Sequence, residues 1–282
     1  MIPASSFSST YNYLLRELYD SGVWELNTRT GVEILTVPGG HSFKLKLSAG
    51  RLPVPGNRRF YPKVAAVETA WQFMATQNPA WIVARAPKLW SNFVEDGKLK
   101  TAYGYRWSEH FGRDQLEMAV DALSKDNSNR QIWVQAWDPA ADGLGAPDQP
   151  KNIPCPIGFS VSVADDKAHM SVFIRSSDVF VGLPYDVMSY TLTLDAIAAT
   201  LGKAPGTIHF TLAHPHLYET HNEYFEHSLR NKPWPAQAVE PSLPGWSIPE
   251  IRKDPDGYIN LVGRLAKRLG AHEYAPLPEL IL

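Results

Sequence analysis

Residues 153–212 read IPCPIGFSVSVADDKAHMSVFIRSSDVFVGLPYDVMSYTLTLDAIAATLGKAPGTIHFTL, and this stretch decides the fold. Two runs with strand character, Gly158 to Val163 and His169 to Arg175, are joined by a turn at Asp165-Asp166. A strongly apolar helix follows from Asp186 to Leu201, stopped by Gly202, and then a strand from Thr207 to Leu212. Helices and strands mix here without the strict alternation of a doubly wound sheet, so the chain reads as α+β.

Working outward, the same mixture continues in both directions. Ser8 or Ser9 can cap a first helix through Tyr11, Leu14, Leu15 and Leu18, ended by Gly22. Val32 to Val37 and Ser42 to Leu47 alternate around Pro38-Gly39-Gly40, the pattern of a hairpin. Pro62 opens a helix that carries Glu68 and Trp71. Residues 79–112 read as short helical pieces, Arg113 to Leu123 as an amphipathic helix, and Ile132-Trp133-Val134 as the start of a strand. Asp138 to Pro156 is rich in Pro, Gly and Asp, and forms a long loop that delivers Cys155. Tyr218 to Arg230 reads as a helix, residues 232–247 as a proline-rich extended segment, and Val262, Leu265 and Leu269 as a last helix. No repeat, low-complexity tract or linker interrupts the chain, so residues 1–282 are expected to form one domain.

Composition excludes several classes of function. The chain has 44% hydrophobic and 20% charged residues, as in an ordinary soluble protein. A net charge of -2 supplies no field for nucleic acid or an anionic membrane, so an anionic ligand must be held by local arginines. One cysteine allows no intrachain disulfide and fits a reducing compartment. There is no charged-then-apolar leader, and no apolar run nears the roughly 20 residues of a membrane helix. A cytoplasmic enzyme is the expectation.

The chemistry-bearing residues cluster around the opening stretch. A lone cysteine is often only a small buried hydrophobe. Cys155, however, sits between Pro154 and Pro156, in a loop just before a strand, which suits a fixed nucleophile. Arg175-Ser176-Ser177-Asp178 stands at a strand end, where guanidinium and hydroxyl together make a phosphate clamp. Arg29, in Thr28-Arg29-Thr30, has the same potential. His214 and His216 lie at i and i+2 on a strand, yet no matching cysteines or carboxylates complete a metal site. His216 and Tyr218 are better read as hydrogen-bonding groups. Glu68 is solvated if its helix face is exposed, and a proton carrier if that face is buried.

These pieces, in this order, resemble the thymidylate synthase family from about Arg29 to Tyr218. The resemblance runs through Glu68 with Trp71, Tyr103-Gly104-Tyr105-Arg106-Trp107, Asp114-Gln115-Leu116, and Arg130 ahead of Val134-Gln135-Ala136-Trp137. It continues through Pro154-Cys155, Arg175-Ser176-Ser177-Asp178, Gly182-Leu183-Pro184 and His216-Leu217-Tyr218. It implies a large mixed sheet covered by helices, with one sheet face at a homodimer interface. It also implies transfer of one carbon from 5,10-methylenetetrahydrofolate to C5 of a pyrimidine nucleotide. By the resemblance, Cys155 adds to C6 and Glu68 organises proton transfer. Arg29, Arg175 and Ser176 hold the phosphate, and Arg130 reaches the partner's site. His216 and Tyr218 meet the sugar. Trp90 and Gly182 line the folate side, with Asp178 between folate and nucleotide.

The departures sharpen this expectation. Asp186 stands where thymidylate synthases carry the asparagine that recognises uracil. A neutral carboxyl can accept from the 4-amino group of cytosine and donate to N3, and a carboxylate can stabilise protonated N3. The same exchange marks the deoxycytidylate hydroxymethylase branch. The expected substrate is therefore dCMP or CMP, and the expected product 5-hydroxymethyl, formed by water capture. A thymidylate synthase (dUMP to dTMP) or a dCMP 5-methyltransferase is the alternative. Pro156 replaces a histidine, Gln131 replaces a second arginine, and the tail from Tyr274 to Leu282 does not match the family's usual closing segment.

Overall fold

Alternation of apolar and polar residues along the strands builds a sheet with one buried face, most regularly in Ala204–Leu212, where every second residue from Gly206 is buried. The computed structural model describes residues 7–28, 30–47, 52–230 and 243–268. In chain order the elements are α1 (Phe7–Ser21), β1 (Val23–Asn27), β2 (Val32–Thr36), β3 (His41–Lys46), α2 (Pro62–Phe73), α3 (Ala80–Arg85) and α4 (Pro87–Trp90). Then come α5 (Tyr103–Tyr105), running into a π-helical turn at Arg106–His110, α6 (Gln115–Lys125), β4 (Val134–Gln135) and α7 (Pro139–Asp142). The rest are β5 (Pro156–Ala164), β6 (Lys167–Ile174), β7 (Ser177–Asp178), α8 (Leu183–Thr200), β8 (Ala204–Leu212), β9 (Pro215–Tyr218), α9 (Asn222–Arg230), α10 (Ile248–Lys253) and α11 (Pro255–Arg268).

The strands hydrogen-bond in the orders β1-β2-β9-β7 and β3-β8-β6-β5-β4. These two sets continue one another across a bend. Ile174 faces Leu212 and, three residues on, Ser177 faces Pro215, so β6–β7 and β8–β9 hold one parallel register through the corner. On the antiparallel side, Thr36 faces His216 and His41 faces Leu212: five steps on one strand against four on the other. The extra residue is a β-bulge at Pro38-Gly39-Gly40. This corrects the expected hairpin. β2 and β3 do not pair with each other; both run along the β8–β9 strand, and the Pro-Gly-Gly punctuation bends them. Gly40 has φ +78°, and a Cβ there would lie 2.6 Å from the Leu212 carbonyl oxygen, so glycine is required.

The sheet is mixed, and its inner face is covered by α8. That helix buries Leu183, Pro184 and every residue from Val187 to Ala198, which explains why its sequence is apolar on all sides. Each fully buried aliphatic side chain contributes about 1.5–3 kcal/mol. α2 lies on α8, and α11 lies on α2.

Several element boundaries differ from expectation. α1 begins at Phe7, so Ser8 and Ser9 are inside it rather than capping it. α8 starts three residues early, because Pro184 fits a first helical turn, and Asp186 thereby falls within that turn. Tyr218 ends β9, and the following helix starts only at Asn222. Part of the proline-rich segment and Leu269 lie outside the described residues. No helix among the described residues is long and apolar enough to cross a membrane.

Candidate active site

The bend in the sheet gathers the expected residues. Arg175 and Ser176 occupy the corner between β6 and β7, and Asp178 faces His216 across the β7–β9 pair. Cys155 ends the long loop immediately before β5, and its carbonyl accepts from the Arg175 amide at 2.9 Å. Cys155, Glu68, Trp90, Tyr103, Arg175, Ser176, Asp178, Gly182, Asp186 and Tyr218 are all half-buried, as side chains lining a cleft are.

The thiol-bearing loop is fastened along the residues that precede Cys155. Arg175 Nε donates to the Pro154 carbonyl at 2.9 Å and Nη2 to the Ile153 carbonyl at 3.1 Å. Its guanidinium also lies 5.2 Å from the centre of the Trp137 ring. Expected as a phosphate clamp, Arg175 thus spends two nitrogens fixing the backbone before Cys155. Further back, the Lys151 amide donates to Glu95 at 2.8 Å, and the Thr101 hydroxyl donates to the Asn152 carbonyl at 2.7 Å.

Three carboxyls converge on the other wall. Glu68 projects from α2 and accepts from the Trp90 indole at 3.0 Å. Burial pushes its pKa up to about 7, against the lowering effect of that bond. Asp186, in the first turn of α8, is pushed up to about 8 by burial and by the nearby charges of Glu68 and Asp178. Helix propagation explains the rigidity of Asp186: its amide donates to the Gly182 carbonyl at 3.1 Å. Asp178 Oδ1 accepts from the amides of Phe180 and Val181, both at 3.0 Å, so that carboxylate is oriented by its own turn. His216 Nδ1 donates to the His214 carbonyl at 3.0 Å, which leaves Nε2 as the nitrogen for a ligand. The Tyr218 ring stands edge-on to His216 at 5.1 Å.

Trp90 is held between aromatic neighbours. Its ring lies edge-on to Trp71 at 4.9 Å and to Phe93 at 6.2 Å.

Two tyrosines near these groups are not singled out by the sequence reading. The Tyr103 phenol is hydrogen-bonded to the backbone of Cys155; burial, with the charges of Cys155 and Asp186, raises its pKa well above the usual value, against the lowering effect of that bond. The available signal was Gly104. A Cβ there would lie 1.7 Å from the Gln72 carbonyl oxygen, so only glycine lets this turn press against α2. Tyr190 lies one helical turn past Asp186, a spacing that sets both on one face.

The remaining expectations fall elsewhere. Arg29 lies outside the described residues. Arg130 and Gln131 are exposed on the turn before β4. Among the described residues, no three His, Cys, Asp or Glu side chains are grouped to hold a metal. The arrangement supplies a fixed thiol, a carboxyl that titrates near neutrality, and a second carboxyl that keeps its proton at neutral pH.

Compared with known families, residues 9–244 match the family model described as Thymidylate synthase. The match takes in every residue of the cleft and stops before α10.

Proposed function

From the premise that the chain belongs to the thymidylate synthase family, we propose that it transfers a one-carbon unit to C5 of a cytosine nucleotide, dCMP or CMP, and releases a 5-hydroxymethyl product. Members of this family are enzymes that bind a pyrimidine nucleotide and a folate and act as dimers. The co-substrate, 5,10-methylenetetrahydrofolate, supplies a carbon at the oxidation level of formaldehyde. The cleft fits such a group. Trp90 offers a braced flat face for a fused ring, with Asp178 and Gly182 beside the start of α8.

The observation that carries the reading is Asp186, a carboxyl in the cleft whose pKa is pushed up to about 8. Neutral, it can accept from the 4-amino group and donate to N3. A neutral acid alone could turn to suit uracil as well. The difference is that cytosine N3 has a lone pair and can take the proton, presenting two donors to the resulting carboxylate. Uracil N3 already carries hydrogen and cannot. Protonation at N3 also draws electrons from the ring, which favours addition of the Cys155 thiolate at C6. Glu68, near pKa 7, is suited to deliver and remove protons at neutral pH.

A dimer through the outer sheet face is supported by Trp133 and Phe173. They are 39% and 40% exposed there, with rings 5.8 Å apart. Arg130, just before β4, would reach the partner's cleft from that edge. A methyl product is the second reading, favoured by the braced Trp90, which can shield the C5 substituent from water.

The test is Asp186→Asn. Preference should shift from cytosine to uracil nucleotides, with cytidylate kcat/KM falling by on the order of 10²-fold. Unchanged preference would contradict the assigned role of Asp186.

A further inference from the structure

We propose that Arg58 is a positioning residue for the reaction: acting through one peptide group, it orients the Asp178 carboxylate toward the folate. This rests on the reading above that sets Asp178 on the folate side of the cleft. Arg58 is 6% exposed, and its guanidinium lies 5.0 Å from the centre of the Phe180 ring. A buried cation needs compensation. The hydrogen bonds that Arg58 makes to described residues go to carbonyls: Nη1 donates to Phe180, and Nε donates to Arg59 at 3.3 Å. The Phe180 carbonyl also accepts from the Tyr11 phenol at 3.3 Å. Tyr11 and Phe180 are both buried. Two donors, one of them charged, thus converge on a single oxygen inside the core.

That oxygen belongs to the peptide joining Phe180 to Val181. The other end of the same peptide is the Val181 N–H, which donates to Asp178 Oδ1 at 3.0 Å. A peptide is planar, so fixing its C=O fixes the direction of its N–H. The cation stands at the negative end of the peptide dipole and the carboxylate at the positive end, so each hydrogen bond strengthens the other. Asp178 is therefore the counter-charge of Arg58, met across one peptide rather than directly.

The rest of the turn is already pinned. The Val179 amide donates to the His216 carbonyl at 2.8 Å, and the Gly182 amide to the Asp178 carbonyl at 3.0 Å. What remains free is the tilt of the 180–181 peptide, which Arg58 and Tyr11 set. Asp178 Oδ1 also accepts from the Phe180 amide at 3.0 Å, which leaves Oδ2 as the oxygen for a ligand. Asp178 is half-buried in the cleft, whereas Arg58 acts from the core behind it.

Arg58→Met keeps the stem and removes the cation. The expected result is a fall in kcat/KM for 5,10-methylenetetrahydrofolate of roughly 10- to 100-fold, with the dissociation constant of the nucleotide alone within about twofold of wild type. Asp178→Ala should show a comparable loss, and adding Arg58→Met to it should change kcat/KM by no more than about twofold, because the two residues act as a unit. Arg58→Lys restores a charged donor and should recover most of the loss. Tyr11→Phe removes one oxygen from the same carbonyl and should lower the same constant by about two- to fivefold, only while Asp178 is present; it carries the test if Arg58→Met does not fold. Losses that multiply in the double variants would overturn the proposal. So would wild-type kcat/KM in Arg58→Met, or a loss in Arg58→Lys equal to that in Arg58→Met. The comparison is made on whichever nucleotide the wild-type enzyme turns over, so turnover of dUMP alone would overturn the cytosine reading while these ratios still decide the role of Arg58. Wild-type folate kinetics in Asp178→Ala would overturn the placement of Asp178 at the folate, and this proposal with it.

Discussion

Two groups of buried carboxyls flank the loop that carries Cys155, and they are built on opposite principles. In the cleft no cation among the described residues faces Glu68 or Asp186: burial pushes Glu68 up to about 7, and burial with the charges of Glu68 and Asp178 pushes Asp186 up to about 8. On the other side, the Arg106 guanidinium faces both Asp138, at 3.6 Å, and Asp142. Arg106, whose side chain is 2% exposed, reaches Asp142 at 3.1 Å, and His110 reaches Asp138 at 2.7 Å. The His110 hydrogen bond, with the Ala140 amide and the Arg106 charge, holds the Asp138 carboxyl below its ordinary range despite burial. The Asp138 amide closes the network on Asp142 at 2.8 Å. The comparison teaches that burial alone does not mark a functional acid. Where a cation faces the carboxyls, the network fastens a loop; where none does, burial brings Glu68 and Asp186 to titrate near neutral pH.

The strongest attack on this distinction removes the thiol. Cys155→Ser should lower turnover by on the order of 10⁴-fold or more while leaving nucleotide affinity and melting temperature nearly unchanged. Retained turnover, measured by product formation, would remove the covalent step from the account.

Next in size is the paired network. Arg106→Ala leaves Asp142 buried without its cation and should cost about 3–5 kcal/mol of stability in a denaturant titration. Replacing both partners, Arg106→Met with Asp142→Leu, should recover most of it. If the double variant stays as unstable as the single one, the network does more than pair charges.

The smallest effect sharpens the contrast with an acid outside both groups. Asp195 is 3% exposed and accepts from the Gly245 amide at 2.8 Å, and burial pushes it up to about 6. Its folded pKa lies above the unfolded value, so its contribution is complete below about pH 4 and is lost as pH rises through about 6. Asp195→Asn keeps an acceptor for Gly245 and should raise stability by about 1–2 kcal/mol at pH 8 but not at pH 4. Equal effects at both pH values would mean that ionisation is not the cause.

Much of this was legible in the sequence, for identifiable reasons. Strands β5, β6 and β8 announce themselves by alternation, and Asp165-Asp166 by its turn chemistry; both residues adopt positive φ, 50° and 55°. The motif order around Cys155, Arg175, Asp178 and Asp186 is likewise legible in the chain. What sequence reasoning missed depends on long-range pairing. Pro38-Gly39-Gly40 is punctuation common to a hairpin and a bulge, and only the partner strand β8–β9 distinguishes them. Tyr190 looks like a core aromatic because its ring is core, 4% exposed, and no local pattern shows that the Tyr103 phenol bonds the backbone of Cys155. The Arg106 network joins a π-helical turn to a loop about 30 residues away, a contact no local pattern reports.

The central claim is that a cytosine nucleotide is hydroxymethylated at C5. The most direct test incubates the enzyme with 5,10-methylenetetrahydrofolate and an equimolar mixture of dCMP, CMP and dUMP, and reads nucleotide and folate products by mass spectrometry. A hydroxymethyl group on a cytosine nucleotide together with tetrahydrofolate is the expected result, and the sugar is read from the same spectrum. A methyl group on dUMP together with dihydrofolate would contradict it.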